Sequence, residues 1–162
     1  MDINLKNIKV VISEVDGIIT NGFCSYDEMG TTLFKNYYIN DFEAINNIKR
    51  YFKFIFLSKD SAINYSLCRR KNIPFFFAKT SKERTLVHEI LPRYGVELSN
   101  VIYIGCSFSD ERAMSLVDTS FCTIDSPASL KRVATGVLNS KGGTGVISSF
   151  YETIIESNLS SL

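Results

Sequence analysis

Apolar positions in this chain fall into short β-rich runs that alternate with segments of helical spacing, a pattern that predicts a parallel sheet with helices on its faces. Lys9 to Val15, built on Val10-Val11-Ile12, reads as a buried first strand, and Phe54-Ile55-Phe56-Leu57 as a second. From Asp41 to Tyr51, Phe42, Ile45 and Ile48, continued by Phe52, recur at helical spacing and complete a βαβ unit. Ser61 to Arg70 is predicted as the next helix, broken by Asn72-Ile73-Pro74, after which Phe75 to Ala78 makes a short strand. The order continues with a helix over Lys82 to Tyr94 closed by Gly95, a strand over Val101 to Ile104, a helix from Ser109 to Val117 with Ser109 as its cap, and a strand from Phe121 to Ile124. A last helix is expected from Gly145 to about Asn158.

The alternation fails between the first strand and the first helix. There Gly22 to Tyr26 and Thr31 to Lys35 flank Asp27-Glu28-Met29-Gly30, where Gly30 supplies the positive φ of a tight turn, so a β-hairpin is expected over about 22–37. Phe23, Tyr26, Phe34, Tyr37 and Tyr38 load this segment with aromatic surface. An isolated two-stranded ribbon is marginal in water, so a subunit interface is the expected use of those rings.

With 162 residues and 45% hydrophobic content, the chain suits one core and a single domain over 1–162. Eighteen Lys and Arg balance 17 Asp and Glu, and no basic run appears, which argues against a nucleic-acid partner. No apolar stretch approaches the roughly 20 residues of a membrane span, and Met1-Asp2-Ile3-Asn4 does not open a secretion signal, so a cytoplasmic protein without membrane contact is expected. Cys24, Cys68, Cys106 and Cys122 form no CxxC pair and no zinc-ligand spacing with the lone His88; free thiols and a surface histidine are expected.

Chemistry-bearing residues sit where strands end, the place open α/β sheets put their ligand crevice. Glu14-Val15-Asp16-Gly17 follows the first strand, Ser58 the second, Lys82 opens a helix, and Gly105-Cys106-Ser107-Phe108-Ser109-Asp110 follows the Val101 strand. In order and spacing these resemble the four motifs of haloacid-dehalogenase-type phosphatases, and in particular the small capless group that acts on 3-deoxy-manno-octulosonate 8-phosphate. They are also similar to the C-terminal domains of acylneuraminate cytidylyltransferases. The resemblance spans nearly the whole chain, including Lys35 with Asp41 and the Gly142-Gly143-Thr144-Gly145 loop. It implies a Rossmann-like parallel sheet with helices on both faces, the projecting hairpin and no cap, assembled as a homotetramer through the hairpin.

In that family an Asp-x-Asp-Gly sequence supplies a nucleophilic, Mg²⁺-binding first Asp and an acid/base second Asp, while a Ser or Thr and a Lys hold phosphate. Carried over, Glu14, Asp16 and Lys82 are the catalytic candidates, Ser58, Lys82 and Gly17 the phosphate-binding ones, and Glu14, Asp16 and Asp110 the metal candidates. The departures are pointed. Glu14 moves its carboxylate by about 1.5 Å relative to Asp, and a misplacement near 1 Å can reduce a rate on the order of a hundredfold. Cys106 replaces a metal carboxylate with a soft thiol unsuited to Mg²⁺, and it otherwise reads as a small packed hydrophobe. Lys59-Asp60 stands for Gly-Arg, and Thr144, Ser148 and Ser149 stand where the family carries Arg around its glycine loop, so bidentate anion recognition by Arg is largely gone.

The expectation is a degenerate sugar-acid-phosphate phosphatase-like domain of octulosonate or nonulosonate metabolism, the chemistry that feeds lipopolysaccharide or sialic acid. Its catalysis would be lost or much reduced and Mg²⁺ binding weak or absent, and it would serve as an oligomeric, regulatory or anionic-sugar-binding module. The alternative is an active Mg²⁺-dependent phosphatase with Glu14 as nucleophile and Asp16 as acid/base.

Overall fold

The computed structural model describes residues 3–60 and 62–161. Ser61, the expected first residue of the second helix, and Met1-Asp2 of the amino-terminal reading lie outside them. Six strands form one sheet: β1 (Val10–Ser13), β4 (Lys53–Ser58), β5 (Phe75–Phe77), β6 (Val101–Gly105), β7 (Thr119–Thr123) and β8 (Gly136–Leu138). Their order is β5-β4-β1-β6-β7-β8, every neighbouring pair is parallel, and Val11 lies between Phe54 and Ile102.

Alternation along each central strand sorts side chains to two cores. Val11, Phe54, Phe56, Ile102 and Ile104 pack on one face, against Phe42, Ile45 and Ile48 of α1 (Asn40–Ile48) and Val146, Ile147 and Phe150 of α7 (Val146–Phe150). Val10, Ile12, Ile55, Leu57, Val101 and Tyr103 pack on the other. Their partners include Leu86 and Ile90, and Ala113 and Met114 of α5 (Glu111–Leu116). This two-faced burial is why the strands read as continuous apolar runs.

The expected helix over 82–94 is present but not uniform. α3 (Lys82–Thr85) widens into a π turn over Leu86–Ile90 before α4 (Leu91–Tyr94). Pro92 has no N–H for the carbonyl four residues back and its ring crowds it, so the helix inserts a wider turn instead. The last helix likewise passes from α7 into a π turn, Tyr151–Ile155, and a 3₁₀ end, Glu156–Ser161. The cap expected at Ser109 is Ser107: its side chain and that of Asp110 form a reciprocal capping box for the 3₁₀ turn Phe108–Asp110 that leads into α5. Two elements gave no signal in the sequence, α6 (Ala128–Val133) and β8, both too short for periodicity to register.

The hairpin forms as β2 (Ser25–Tyr26) and β3 (Thr32–Phe34), paired antiparallel outside the main sheet, with Gly30 at φ 78°. Phe23, Tyr26, Phe34 and Tyr38 are exposed, joined by Met29, Leu33 and Ile39. Tyr37 is the exception among the expected rings: it packs against the core and donates its hydroxyl to Asn64 at 3.1 Å. α2 (Ala62–Arg70) follows β4 and carries Asn64.

Candidate active-site crevice

Because the strands are parallel and in register, β1, β4 and β6 all end at one edge, and the Glu14 amide extends the pairing by donating to the Ile104 carbonyl at 2.9 Å. Glu14, Ser58 and Cys106 are therefore carried to one place by three strands. Two further chain segments reach that edge from the helices: Lys82, the first residue of α3, and Asp110, held by the turn before α5.

On the crevice floor the Lys82 ammonium sits between two carboxylates. It donates to Asp110 Oδ1 at 2.6 Å and pairs closely with Glu14 Oε2, and the side chains of all three are almost wholly buried. Asp110 is fully engaged. Its Oδ1 also accepts from the Tyr103 hydroxyl at 2.9 Å, and its Oδ2 accepts from the Cys106 and Ser107 amides at 3.1 and 3.0 Å and the Ser107 hydroxyl at 2.9 Å. Glu14 Oε1 turns back to accept from the Val15 amide at 2.7 Å.

Burial pushes the Glu14 carboxyl above its ordinary range, and the Lys82 charge only partly offsets this. For Lys82 the balance runs the other way. Burial alone would lower it, but the carboxylates of Asp110 and Glu14 outweigh that and hold the ammonium charged.

Beside the floor, Asp16 is the hub of a second network. Both of its oxygens accept from Lys35 Nζ at 2.9 Å; Thr20 Oγ1 adds a bond at 3.3 Å to one and Asn64 Nδ2 a bond at 2.8 Å to the other. Lys35 also pairs with Asp60 at 2.5 Å, and Asn64 reaches the Ser58 hydroxyl at 3.4 Å. Burial opposes the Lys35 charge, yet the bonds to Asp16 and Asp60 raise its ammonium further above the ordinary value. Burial likewise pushes the Tyr37 phenol up to about 12.

Backbone packing closes the crevice tightly. Gly17 has φ 81°, and a Cβ there would meet Cys106 Sγ at 2.7 Å. The Cys106 thiol donates to the Asp16 carbonyl at 3.0 Å, and burial raises this thiol well above its usual range. Gly142 and Gly143 lie so close to the Glu14–Gly22 loop that a Cβ would meet the Gly17 carbonyl or the Asn21 amide at 2.5 Å.

The amides of Gly142, Gly143 and Thr144 all donate within the protein, to Asp125, Ile18 and Lys141. The Gly17 amide donates to Thr20 Oγ1 at 3.1 Å. Ser148, which stands where the family resemblance places Arg, ties the last helix to Asp41 through its amide and hydroxyl, both at 2.9 Å.

Glu14, Asp16, Ser58, Lys82 and Asp110 thus converge at the strand ends, but as two linked networks. Lys82 separates Glu14 from Asp110, Lys35 holds Asp16, and among the described residues no three His, Cys, Asp or Glu side chains are arranged to hold an ion. Residue pattern alone missed Asn64, Asp60 as a partner of Lys35, and Tyr103. Only Tyr103 left a trace, a hydroxyl in the otherwise apolar run Val101 to Ile104. His88, as expected, is exposed.

Known proteins share this fold. The chain is 29% identical over 158 residues to the 3-deoxy-D-manno-octulosonate 8-phosphate phosphatase of Haemophilus influenzae, covering 96% of this chain and 87% of that protein. Its homologues are phosphatases and hydrolases of the haloacid-dehalogenase superfamily. The cobalt-bound structure of the Haemophilus influenzae phosphatase superposes with TM-score 0.87 at 28% identity, covering 98% of this chain and 94% of that one. The sheet and its size are those of a haloacid-dehalogenase-type fold without a cap domain.

The Moraxella catarrhalis phosphatase, solved with magnesium, phosphate and KDO, has the same fold at TM-score 0.87 and 22% identity, covering 98% and 91% of the two chains. No protein-family model matches the chain. Among the described residues no helix is long and apolar enough to cross a membrane.

Proposed function

We propose that this protein is a phosphatase-like domain of sugar-acid metabolism whose phosphoryl-transfer chemistry is lost or much reduced. The observation that carries the reading is the Lys82 ammonium lodged between Glu14 and Asp110, because it neutralises from within the carboxylates that would otherwise hold a divalent cation. Mg²⁺ demands near-octahedral oxygen ligands and dehydrates reluctantly. Here the donor set does not fit it. The Glu14, Asp16 and Asp110 carboxylates are committed to Lys82, Lys35, Tyr103, Asn64 and backbone amides, and the Asp16 carbonyl takes the Cys106 thiol. Phosphoryl transfer depends on positioning and on charge neutralisation by metal and Lys, and Glu14 as placed aims its free oxygen at Lys82 rather than outward.

What remains suits binding more than turnover: Asp16 partly open to the crevice, Ser58 buried behind it, and Arg112 as the one guanidinium among the described residues lining the hollow beside Lys82. The exposed aromatic hairpin supports self-association, for which a homotetramer is the proposed form.

The test is phosphate release from 3-deoxy-D-manno-octulosonate 8-phosphate and from a generic aryl phosphate, with and without Mg²⁺. The unmodified protein is compared with Glu14→Asp, Cys106→Asp and Ser107→Asp, singly and combined. Turnover far below about 1 s⁻¹ that rises in the combined variant is expected. If the unmodified protein works at ordinary enzyme rates, Glu14 is a genuine nucleophile and Glu14→Gln abolishes activity.

A further inference from the structure

At the edge of the sheet opposite the crevice, where β4 begins, the surface carries a cavity of about 490 Å³ whose lining includes Lys53, Arg69, Arg93, Asn72 and Tyr94 and no carboxylate. A fourth cation reaches its rim, since Lys49 Nζ donates to the Asn72 carbonyl at 3.1 Å. None of these four cations makes an ion pair among the described residues, in a protein whose net charge is only +1. The concentration of positive charge is therefore local.

Tertiary packing sets two of these cations against aromatic rings without neutralising them. Lys53 Nζ stands 5.6 Å from the Tyr94 ring centre, and the Arg93 guanidinium 5.6 Å from that of Phe76. Ring faces satisfy a cation only weakly and leave its N–H donors for a ligand. Arg69 lies in the last turn of α2, where the helix dipole favours a cation, but that accounts for neither Lys53 on β4 nor Arg93 on α4. The rim is fixed by backbone: Asn72 takes the left-handed conformation, φ 52°, and the Ile73 amide donates to the Cys68 carbonyl at 2.9 Å.

We propose that this cavity is a second anion site that takes the phosphate chain of a small polyphosphorylated ligand. Several cations from three elements around one hollow outnumber the charges of a single carboxylate, whereas linked phosphates reach more than one of them and engage guanidinium groups in pairs. Lys53 and Ser58 begin and end the same strand, so roughly 17 Å of β4 separates this cavity from the crevice. The proposal stands whether or not the crevice turns anything over.

The experiment is calorimetric titration of the full chain with inorganic triphosphate, ATP, adenosine and sulfate, repeated on Lys53→Ala, Arg69→Ala, Arg93→Ala and the Arg69→Ala/Arg93→Ala pair. Circular dichroism confirms that each variant is folded. Triphosphate should bind the unmodified protein and weaken about tenfold for each guanidinium removed. Ser58→Ala should leave that affinity unchanged, and amide shifts on binding should centre on Asn72 and Tyr94. Equal affinity for triphosphate and ATP assigns recognition to the phosphates alone, and tighter ATP adds its base to the site; both support the proposal. It is overturned if the double variant loses less than about twofold, if Ser58→Ala abolishes binding, if sulfate or adenosine binds as well as triphosphate, or if the protein binds long polyanions such as RNA but not triphosphate.

Discussion

Replacing Lys82 with Met preserves much of the side chain's volume and removes the one cation that the Glu14 and Asp110 carboxylates share on the crevice floor. Each carboxylate lies within bonding reach of the same nitrogen, so the two are at most roughly 5 Å apart. At an effective dielectric near 20 their mutual repulsion is then about 3 kcal/mol. Removing one partner from a buried pair typically destabilises by about 3–5 kcal/mol, and a central expectation of ~4 kcal/mol at pH 7.5 follows. For a chain of this size that lowers the melting temperature by roughly 8–16 °C.

The pH dependence has a definite sign. Burial already raises Glu14 in the unmodified protein, and without Lys82 its carboxyl loses the charge that partly offsets this and binds its proton more tightly folded than unfolded. A group raised in the folded state stabilises below its unfolded value, about 4.5 for Glu14, and that contribution disappears as pH rises through the folded value. The deficit of Lys82→Met should therefore shrink as pH falls from 7.5 towards 5. Urea unfolding followed by circular dichroism at both pH values measures this directly. Adding Glu14→Gln and Asp110→Asn to Lys82→Met should recover much of the loss at pH 7.5. A single variant within about 0.5 kcal/mol of the unmodified protein, or a deficit independent of pH, would refute the buried-triad reasoning.

Gly17→Ala should destabilise by about 1–3 kcal/mol, because it places a Cβ at positive φ and 2.7 Å from Cys106 Sγ; Cys106→Ala in the same chain should relieve part of that, measured by thermal melting. Thiol labelling near pH 8 should modify Cys24 well before Cys68 and Cys106, since burial pushes the Cys68 thiol up to about 12 and the Cys106 thiol higher; early labelling of Cys106 would contradict its bond to the Asp16 carbonyl. Phe34→Asp, which puts a charge on the exposed hairpin, should shift the protein from the proposed tetramer to smaller species in light scattering, and an unmodified protein that is monomeric at micromolar concentration would remove the hairpin interface.

The amino-acid sequence by itself determined the alternation of strand and helix and therefore the edge at which Glu14, Asp16, Ser58 and Asp110 assemble. Strands such as Phe54 to Leu57 are buried on both faces and helices such as α1 on one, so their periods are written locally and survive without tertiary information. The turn at Gly30 and the exposed rings of the hairpin were legible for the same reason. Tertiary structure alone decided the partners. Glu14, Lys82 and Asp110 come from three distant segments, and nothing in the residues around Lys82 distinguishes an ammonium buried between two carboxylates from one at a helix start in water. Asn64 and Asp60 were silent for that reason, and so was the use of the Gly17 and glycine-loop amides within the protein. Charge pairing and backbone close approach depend on distances that only folding sets, and these distances decide which groups of the crevice satisfy one another.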